Sequence, residues 1–469
     1  MSTQTTLDVW VSDLTFPGYM DRWHKLAAEF EKAHPEYRVE IKGINFFTGA
    51  RDIAAAVAQG NGPTIADYYV YMSQAARDTR APDGAPQYTS IEQAIGGRTE
   101  ILGEPVVLGD IIPAMRQCYA QGGDLFSMPS VGTVFLQYSN TVLLTRAGVD
   151  APPRTWEEVT AAAEAVRAVD GGPDHGVSWP NHGMFYLQAL ASLGGFVADQ
   201  DNGYTGRAST IDLASKEMLT WVTWWQSMHR DGNYLHTGGI PHWMESFGAF
   251  TEQQVALRIS SSNDVNFTLR AAEKAGFEVA VTPFPYNAET PYVGNTIAGS
   301  SLWLANRLDE TTQDGALAFL QYVHNPRNAA DRHKASSFLP LTNAAFALLE
   351  EEGWFEENPH HRVASDQLST FPDGQTEGTP ACGTARFGDF AGVQDILTRA
   401  VADVLERDAD PVGRLTEASA EAQGLLNAYN AEATSATGPR SDTSLRFEYF
   451  RDTKPYKGTD MEDVVERTG

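Results

Sequence analysis

The stretch that decides the fold runs from Thr6 to Tyr71: TLDVWVSDLTFPGYMDRWHKLAAEFEKAHPEYRVEIKGINFFTGARDIAAAVAQGNGPTIADYYVY. Thr6 to Val11 has the composition of a short strand. Phe16 to Ala33 carries Tyr19, Trp23, Leu26, Ala27 and Phe30 on one helical stripe, and His34-Pro35 stops it. Tyr37 to Ile41 predicts a second strand and Gly49 to Gln59 a second helix. Gly60-Asn61-Gly62-Pro63 then breaks the chain before a third strand, Thr64 to Tyr71. Such β-α-β-α-β alternation predicts an α/β fold with a largely parallel sheet covered by helices. In such folds ligands bind beyond the carboxyl ends of the strands.

Outward from this opening the pattern continues. Phe126 to Tyr138 reads as extended, and Thr155-Trp156-Glu157-Glu158 has the form of a capping box that starts a helix. Helices are predicted near Met184 to Leu193 and Ser215 to Met228. Trp221, Trp224 and Trp225 on the second are spaced as a core stripe rather than as a sugar platform. Strands follow near Gln254 to Ser260, Phe277 to Pro283 and Ser300 to Leu304, and helices near Thr312 to His324, Arg327 to Lys334, Gly392 to Leu405 and Val412 to Ala431. From Glu432 the composition turns to Ser, Thr and Gly. Residues 432–469 are expected to form an extension over a finished domain or a partly disordered tail.

The chain has 469 residues, enough for two or three domains at about 150 residues each. Its 61 acidic and 34 basic side chains leave a formal net charge of −27, which repels a phosphate backbone and argues against nucleic acid as a partner. Cys118 and Cys382 are too few for a disulfide framework, and they pair only if the fold brings them together. The eleven histidines show no metal spacing, and no P-loop, dinucleotide glycine fingerprint or nucleophile elbow is present, so neither a metal nor a cofactor is expected. Met1 to Leu7 lacks the regions of a secretion signal. The expected location is extracytoplasmic, in the periplasm or at the cell surface, if a signal was removed, and cytoplasmic if the chain is as written.

Five further stretches carry a resemblance: PPRTWEEV (Pro152 to Val159), FTEQQVALRISSSND (Phe250 to Asp264), NTIAGSSLWL (Asn295 to Leu304), HNPRNAADRH (His324 to His333) and SSFLPLTNAAFALLEEEGWFEENP (Ser336 to Pro359). In this order they resemble the extracellular solute-binding proteins of family 1, bacterial proteins that serve carbohydrate ABC importers. GTARFGD (Gly383 to Asp389) further resembles the GLRLGN segment of the glycerol-3-phosphate and glycerophosphodiester binding proteins. The likeness covers about Leu7 to Ala431. It implies a two-lobed periplasmic-binding-protein (type II, Venus-flytrap) fold with hinge crossovers and a C-terminal extension. The lobes are expected at 1–128 plus 281–334 and at 129–280 plus 335–431, with residues 432–469 as the extension.

The same resemblance implies a non-catalytic monomer that holds a carbohydrate, polyol or phosphorylated polyol between its lobes and hands it to permease subunits. It assigns Arg386 to an anionic group, Ser261 and Ser262 to the ligand head group, and Gly299 to close backbone approach. Phe338 and Phe46 stand where the family has tyrosines. Asp67, Tyr69 and Tyr71 compete for the place of the acidic residue that grips glycerol hydroxyls, Asp13 joins the ligand-binding set, and Trp179 is expected to stack on the ligand. Losing hydroxyls while keeping aromatic faces suits a sugar ring or a more apolar substituent. The competing readings are a cytoplasmic enzyme or sensor that reuses the cleft, through Asp67, Tyr71, His182 and Arg386, and a pure interaction protein.

Overall fold

The computed structural model describes residues 4–14, 17–45, 48–238, 243–369, 381–434 and 463–466. Its first sheet is built from the opening stretch. The strand Thr5–Asp13 lies between Tyr37–Asn45 and Ile65–Tyr69, all parallel, and Ala298–Ala305 adds antiparallel to Ile65–Tyr69. Tyr88–Thr89 and Met128–Thr133 both pair with Ala298–Ala305. The second strand is longer than expected, and the third ends at Tyr69, where the chain tightens into the 3₁₀ turn Val70–Met72.

The helix Tyr19–Ala33 packs the expected stripe, Tyr19, Trp23, Leu26, Ala27 and Phe30, into the core. It starts later than Phe16 because Gly18 at its N-cap takes a left-handed conformation (φ 72°) open to glycine at little cost. Its hydrophobic face buries apolar area, the main source of stability for such an element.

A second sheet has the order Tyr234–Leu235, Val177–Ser178, Leu257–Ser261, Phe135–Asn140, Val279–Pro283. Phe135–Asn140 runs antiparallel to both of its neighbours. Helix Lys216–Arg230 covers this half, and Trp221 and Trp225 are wholly buried, as their spacing predicts. The capping box is formed as read: the Thr155 hydroxyl accepts the Glu158 N–H (3.2 Å) and the Glu158 carboxylate accepts the Thr155 N–H (3.2 Å).

The chain passes from the first sheet to the second between Thr133 and Phe135, with Val134 the single residue between the two strands. It returns between Pro283 and Ala298. The first crossing therefore falls after the expected boundary at 128, because Met128–Thr133 pairs with Ala298–Ala305 in the first sheet. Of the C-terminal extension, residues 463–466 are described: Val465 packs on Phe247, Phe267 and Ala271, and its carbonyl accepts from Lys274 Nζ (2.9 Å). Cys118 is a buried thiol, and the Tyr204 hydroxyl lies 3.5 Å from its sulfur.

Candidate functional site

The crossing segment Val131–Val134 gathers residues that are far apart in sequence. Gly299 pairs with Gly132, and a Cβ on Gly299 would lie 2.0 Å from the Val131 carbonyl oxygen, so only glycine fits there (φ 150°). The Leu339 N–H, next to Phe338, donates to the Gly132 carbonyl (2.9 Å). Ser262 closes the other end: its N–H donates to the Val134 carbonyl (2.8 Å) and its Oγ accepts the Val134 N–H (3.2 Å). Ser261 precedes it at the end of its strand, and its carbonyl accepts from the Tyr138 hydroxyl (2.6 Å). Ser261, Ser262, Gly299 and Phe338, chosen from three separate words of sequence, thus meet at one seam between the sheets.

The first sheet supplies the next group. Tyr69 receives a hydrogen bond from the Gly299 N–H, and its ring meets Tyr71 at 4.3 Å between centroids. Tyr71 touches Phe390, at the start of helix Phe390–Glu406, at 6.2 Å. Burial pushes both tyrosine hydroxyls up, so they stay neutral donors at neutral pH. Asp67 is 2% exposed and accepts the Ser12 N–H (3.0 Å). Burial pushes its carboxyl up to about 6, against the pull of the Ser12 and Ser300 hydrogen bonds. Asp13 ends the neighbouring strand, half-buried, in register with Asn45.

Arg386 is 1% exposed, and one nitrogen, Nη1, donates to the carbonyls of Cys118 (2.8 Å) and Ala120 (2.7 Å). Its guanidinium carbon sits 3.7 Å from the centre of the Tyr204 ring. Its Nε is buried and has no hydrogen-bond partner. A second guanidinium, Arg77, is its neighbour. Arg77 is pushed down to about 9 by burial first and then by the positive charge of Arg386, and its Nε is likewise buried and unpartnered. The adjacent carboxylate, Asp78, is taken by Arg207 (2.5 Å), Gln74 (3.0 Å) and Tyr429 (2.8 Å). Two cations therefore share one region with no carboxylate bonded to either among the described residues, an arrangement that favours an added anion.

Trp179 requires a correction. It is wholly buried, stacked on Trp224 (5.6 Å, 7°) and surrounded by Trp221, Trp225 and Tyr234, so its faces pack against protein instead of a ligand. Burying aromatic area in the core uses both faces of the ring. His182 caps helix Gly183–Leu193, its Nδ1 accepting the Met184 N–H (3.2 Å), and burial pushes it down to about 3. A neutral ring in that role is structural. Phe46 lies outside the described residues. Arg77 escaped the sequence reading because it sits in the short helix Ser73–Asp78 with no motif around it, and only folding places it beside Arg386. Among the described residues no group of His, Cys, Asp or Glu could hold a metal ion.

The bacterial extracellular solute-binding protein family matches residues 25–363. The sn-glycerol-3-phosphate-binding periplasmic protein UgpB of Salmonella typhimurium is 25% identical over 414 residues, covering 87% of this chain and 90% of the relative. UgpB of Yersinia pseudotuberculosis is 25% identical over 351 residues, covering 74% and 77%. Among solved structures, UgpB from Mycobacterium tuberculosis in complex with glycerophosphocholine superposes with a TM-score of 0.69 at 19% identity, covering 91% of this chain and all of that one. The sugar-binding protein MalE from Xanthomonas citri gives 0.70 at 15% identity, covering 91% and 98%. At these identities the structural likeness shows the fold, the two-domain α/β type II binding-protein architecture. The relatives are named as binding proteins, which supports a binding protein and not the enzyme alternative. With the family matched over most of its length and the fold in agreement, the chain belongs to the bacterial extracellular solute-binding proteins, which capture small molecules for ABC permeases.

Proposed function

We propose that the solute is a phosphorylated polyol, such as glycerol 3-phosphate or a glycerophosphodiester, held at the seam between the two sheets with its phosphate toward Arg386 and Arg77. The observation that carries this reading is the pair of neighbouring guanidiniums with no carboxylate bonded to either among the described residues, in a chain of net charge −27. Burying one arginine without a counter-ion is costly, and burying two side by side is more so. An incoming phosphate anion relieves both. Ser261, Ser262 and the Gly299 backbone line the seam, and Tyr69 and Tyr71 offer neutral hydroxyls. The two sheets correspond to two lobes that close on the ligand, working as a monomer outside the cytoplasm.

The test is a thermal shift and calorimetric titration with glycerol 3-phosphate, glycerophosphocholine and maltose. At about 100 times its dissociation constant a ligand stabilises the folded state by about 2.7 kcal/mol. The expected result is a shift with the phosphorylated compounds that falls at least tenfold in affinity in Arg77→Gln and in Arg386→Lys. A shift with maltose alone, unaffected by Arg77→Gln, overturns the anionic ligand and leaves a sugar as the solute, the reading that Phe338 in place of a hydroxyl-bearing ring supports.

A further inference from the structure

Helix Gly183–Leu193 turns its N-terminus toward helix Phe390–Glu406, and the two are fixed to each other. The Asn181 side-chain N–H donates to the Thr398 carbonyl (2.9 Å), and the Tyr186 hydroxyl donates to the Asn181 side-chain oxygen. In the first turn the Met184 N–H goes to His182 Nδ1 (3.2 Å) and the Phe185 N–H to the His182 carbonyl (3.0 Å). The Gly183 N–H has no acceptor among the described residues. This helix end therefore keeps one donor and its partial positive charge available.

Gln394, one turn before Thr398, lies across that end. A Cβ on Gly183 would stand 2.4 Å from the Gln394 Cγ and 2.5 Å from its Oε1, so a side chain at 183 would displace the amide. Gln394 is 3% exposed, and neither its Oε1 nor its Nε2 has a hydrogen-bond partner. Every other buried glutamine among the described residues makes at least one hydrogen bond through its amide. A buried amide left wholly unsatisfied is costly and rare, and this one stands at a helix N-terminus whose own donor is unused.

Both helices border the seam. The Phe185 ring packs on Phe135 (4.6 Å between centroids), the residue after Val134, and Phe390, one turn before Gln394, meets Tyr71 of the first half. Arg386 lies just ahead of the same helix and bonds backbone carbonyls of Cys118 and Ala120. A solute that reaches both Arg386 and Gln394 carries an anionic group and a second polar group beyond it. The Asp389 carboxylate caps the helix that holds Gln394 and disfavours a second anion there. A hydroxyl fits the set, since it accepts from the Gly183 N–H or from Nε2 while donating to Oε1.

We propose that the Gln394 amide and the Gly183 N–H form a subsite for an uncharged, hydroxyl-bearing part of the solute, which in a glycerophosphodiester is the head-group alcohol. This rests on the proposed function only in naming the phosphodiester. Arg386 and Arg77 take the phosphate, and Gln394 selects among the groups esterified to it.

The experiment measures affinities for glycerophosphoglycerol, glycerophosphocholine and glycerol 3-phosphate by calorimetry in the wild-type protein and in Gln394→Met, which keeps the length of the side chain and removes its polar atoms. Loss of two neutral hydrogen bonds predicts about a 5- to 50-fold weaker affinity for glycerophosphoglycerol, with less than about threefold change for glycerophosphocholine, whose quaternary ammonium carries no hydroxyl. Equal losses for the two diesters, or none, overturn the subsite. The ligand-free Gln394→Met protein is expected to melt at or above the wild-type temperature, because it no longer buries an unsatisfied amide. A lower melting temperature shows that the amide serves the fold and also overturns the subsite. Binding of glycerol 3-phosphate but of neither diester overturns it while the anionic reading stands. If maltose alone binds, the anionic reading fails separately. A loss of at least tenfold for maltose in Gln394→Met then supports the hydroxyl subsite, and no loss overturns it.

Discussion

Asp67 shows how one residue's environment differs from its sequence context. In the strand Ile65–Tyr69 it reads as one polar residue among aromatics, yet it is enclosed, and burial raises its carboxyl from the ordinary 3.8 to about 6. A carboxyl raised on folding favours the folded state while protonated. Its contribution is fully present below about pH 4 and is lost as pH rises through about 6. Asp67→Asn cannot ionise and still offers an oxygen to the Ser12 N–H. The variant is expected to match the wild-type protein near pH 4 and to exceed it by about 2–3 kcal/mol near pH 7.5 in denaturant titrations. Equal stabilities at the higher pH would show that the carboxylate is compensated. A loss of ligand affinity in the same variant would assign Asp67 to binding, since stability is commonly sacrificed at binding sites.

At the scale of elements, the strand pair Met128–Thr133 and Ala298–Ala305 positions the seam, and Gly299 permits it. Replacing Gly299 with alanine puts a methyl group against the Val131 carbonyl at a backbone conformation that side chains rarely adopt. Strain of this kind costs about 1–3 kcal/mol before the clash is relieved by separating the strands. Gly299→Ala is expected to lower the melting temperature by several degrees and to weaken ligand binding, because the Gly299 N–H to Tyr69 moves with the strand. Retention of both wild-type values would show that the pair is free to shift. Elements with strong local signals were legible in the sequence: the stripe of helix Tyr19–Ala33 and the capping box at Thr155 match the structure because each depends on residues within a turn or two. Where the chain crosses between sheets was less legible, since Val131–Val134 carries no signal of its own and its role comes from strands far away in sequence.

Over the whole molecule, the net charge of −27 and the local pair Arg77 and Arg386 act at different ranges. A field of this sign repels an anion out to about the Debye length, about 10 Å at 0.1 M salt and longer at lower salt, whereas the guanidiniums act at contact. The association rate of glycerol 3-phosphate is therefore expected to rise several-fold between about 10 and 150 mM salt, with that of a neutral sugar unchanged. Stopped-flow tryptophan fluorescence reads both, and a falling rate would show that the cleft's own field dominates.

By itself the sequence determined the α/β alternation of the opening, the helices with clear stripes and caps, and the family likeness, which singled out Ser261, Ser262, Gly299 and Phe338. These rest on short-range periodicity, on the conformational demands of single residues, and on words that keep their order. Only the tertiary structure decided that Trp179 belongs to a sealed aromatic core, that Arg77 stands beside Arg386, and that Ser261, Ser262, Gly299 and Phe338 meet at the seam. Those are facts of burial and of which charges face each other. Both are set by packing between segments tens to hundreds of residues apart, and no local pattern encodes them.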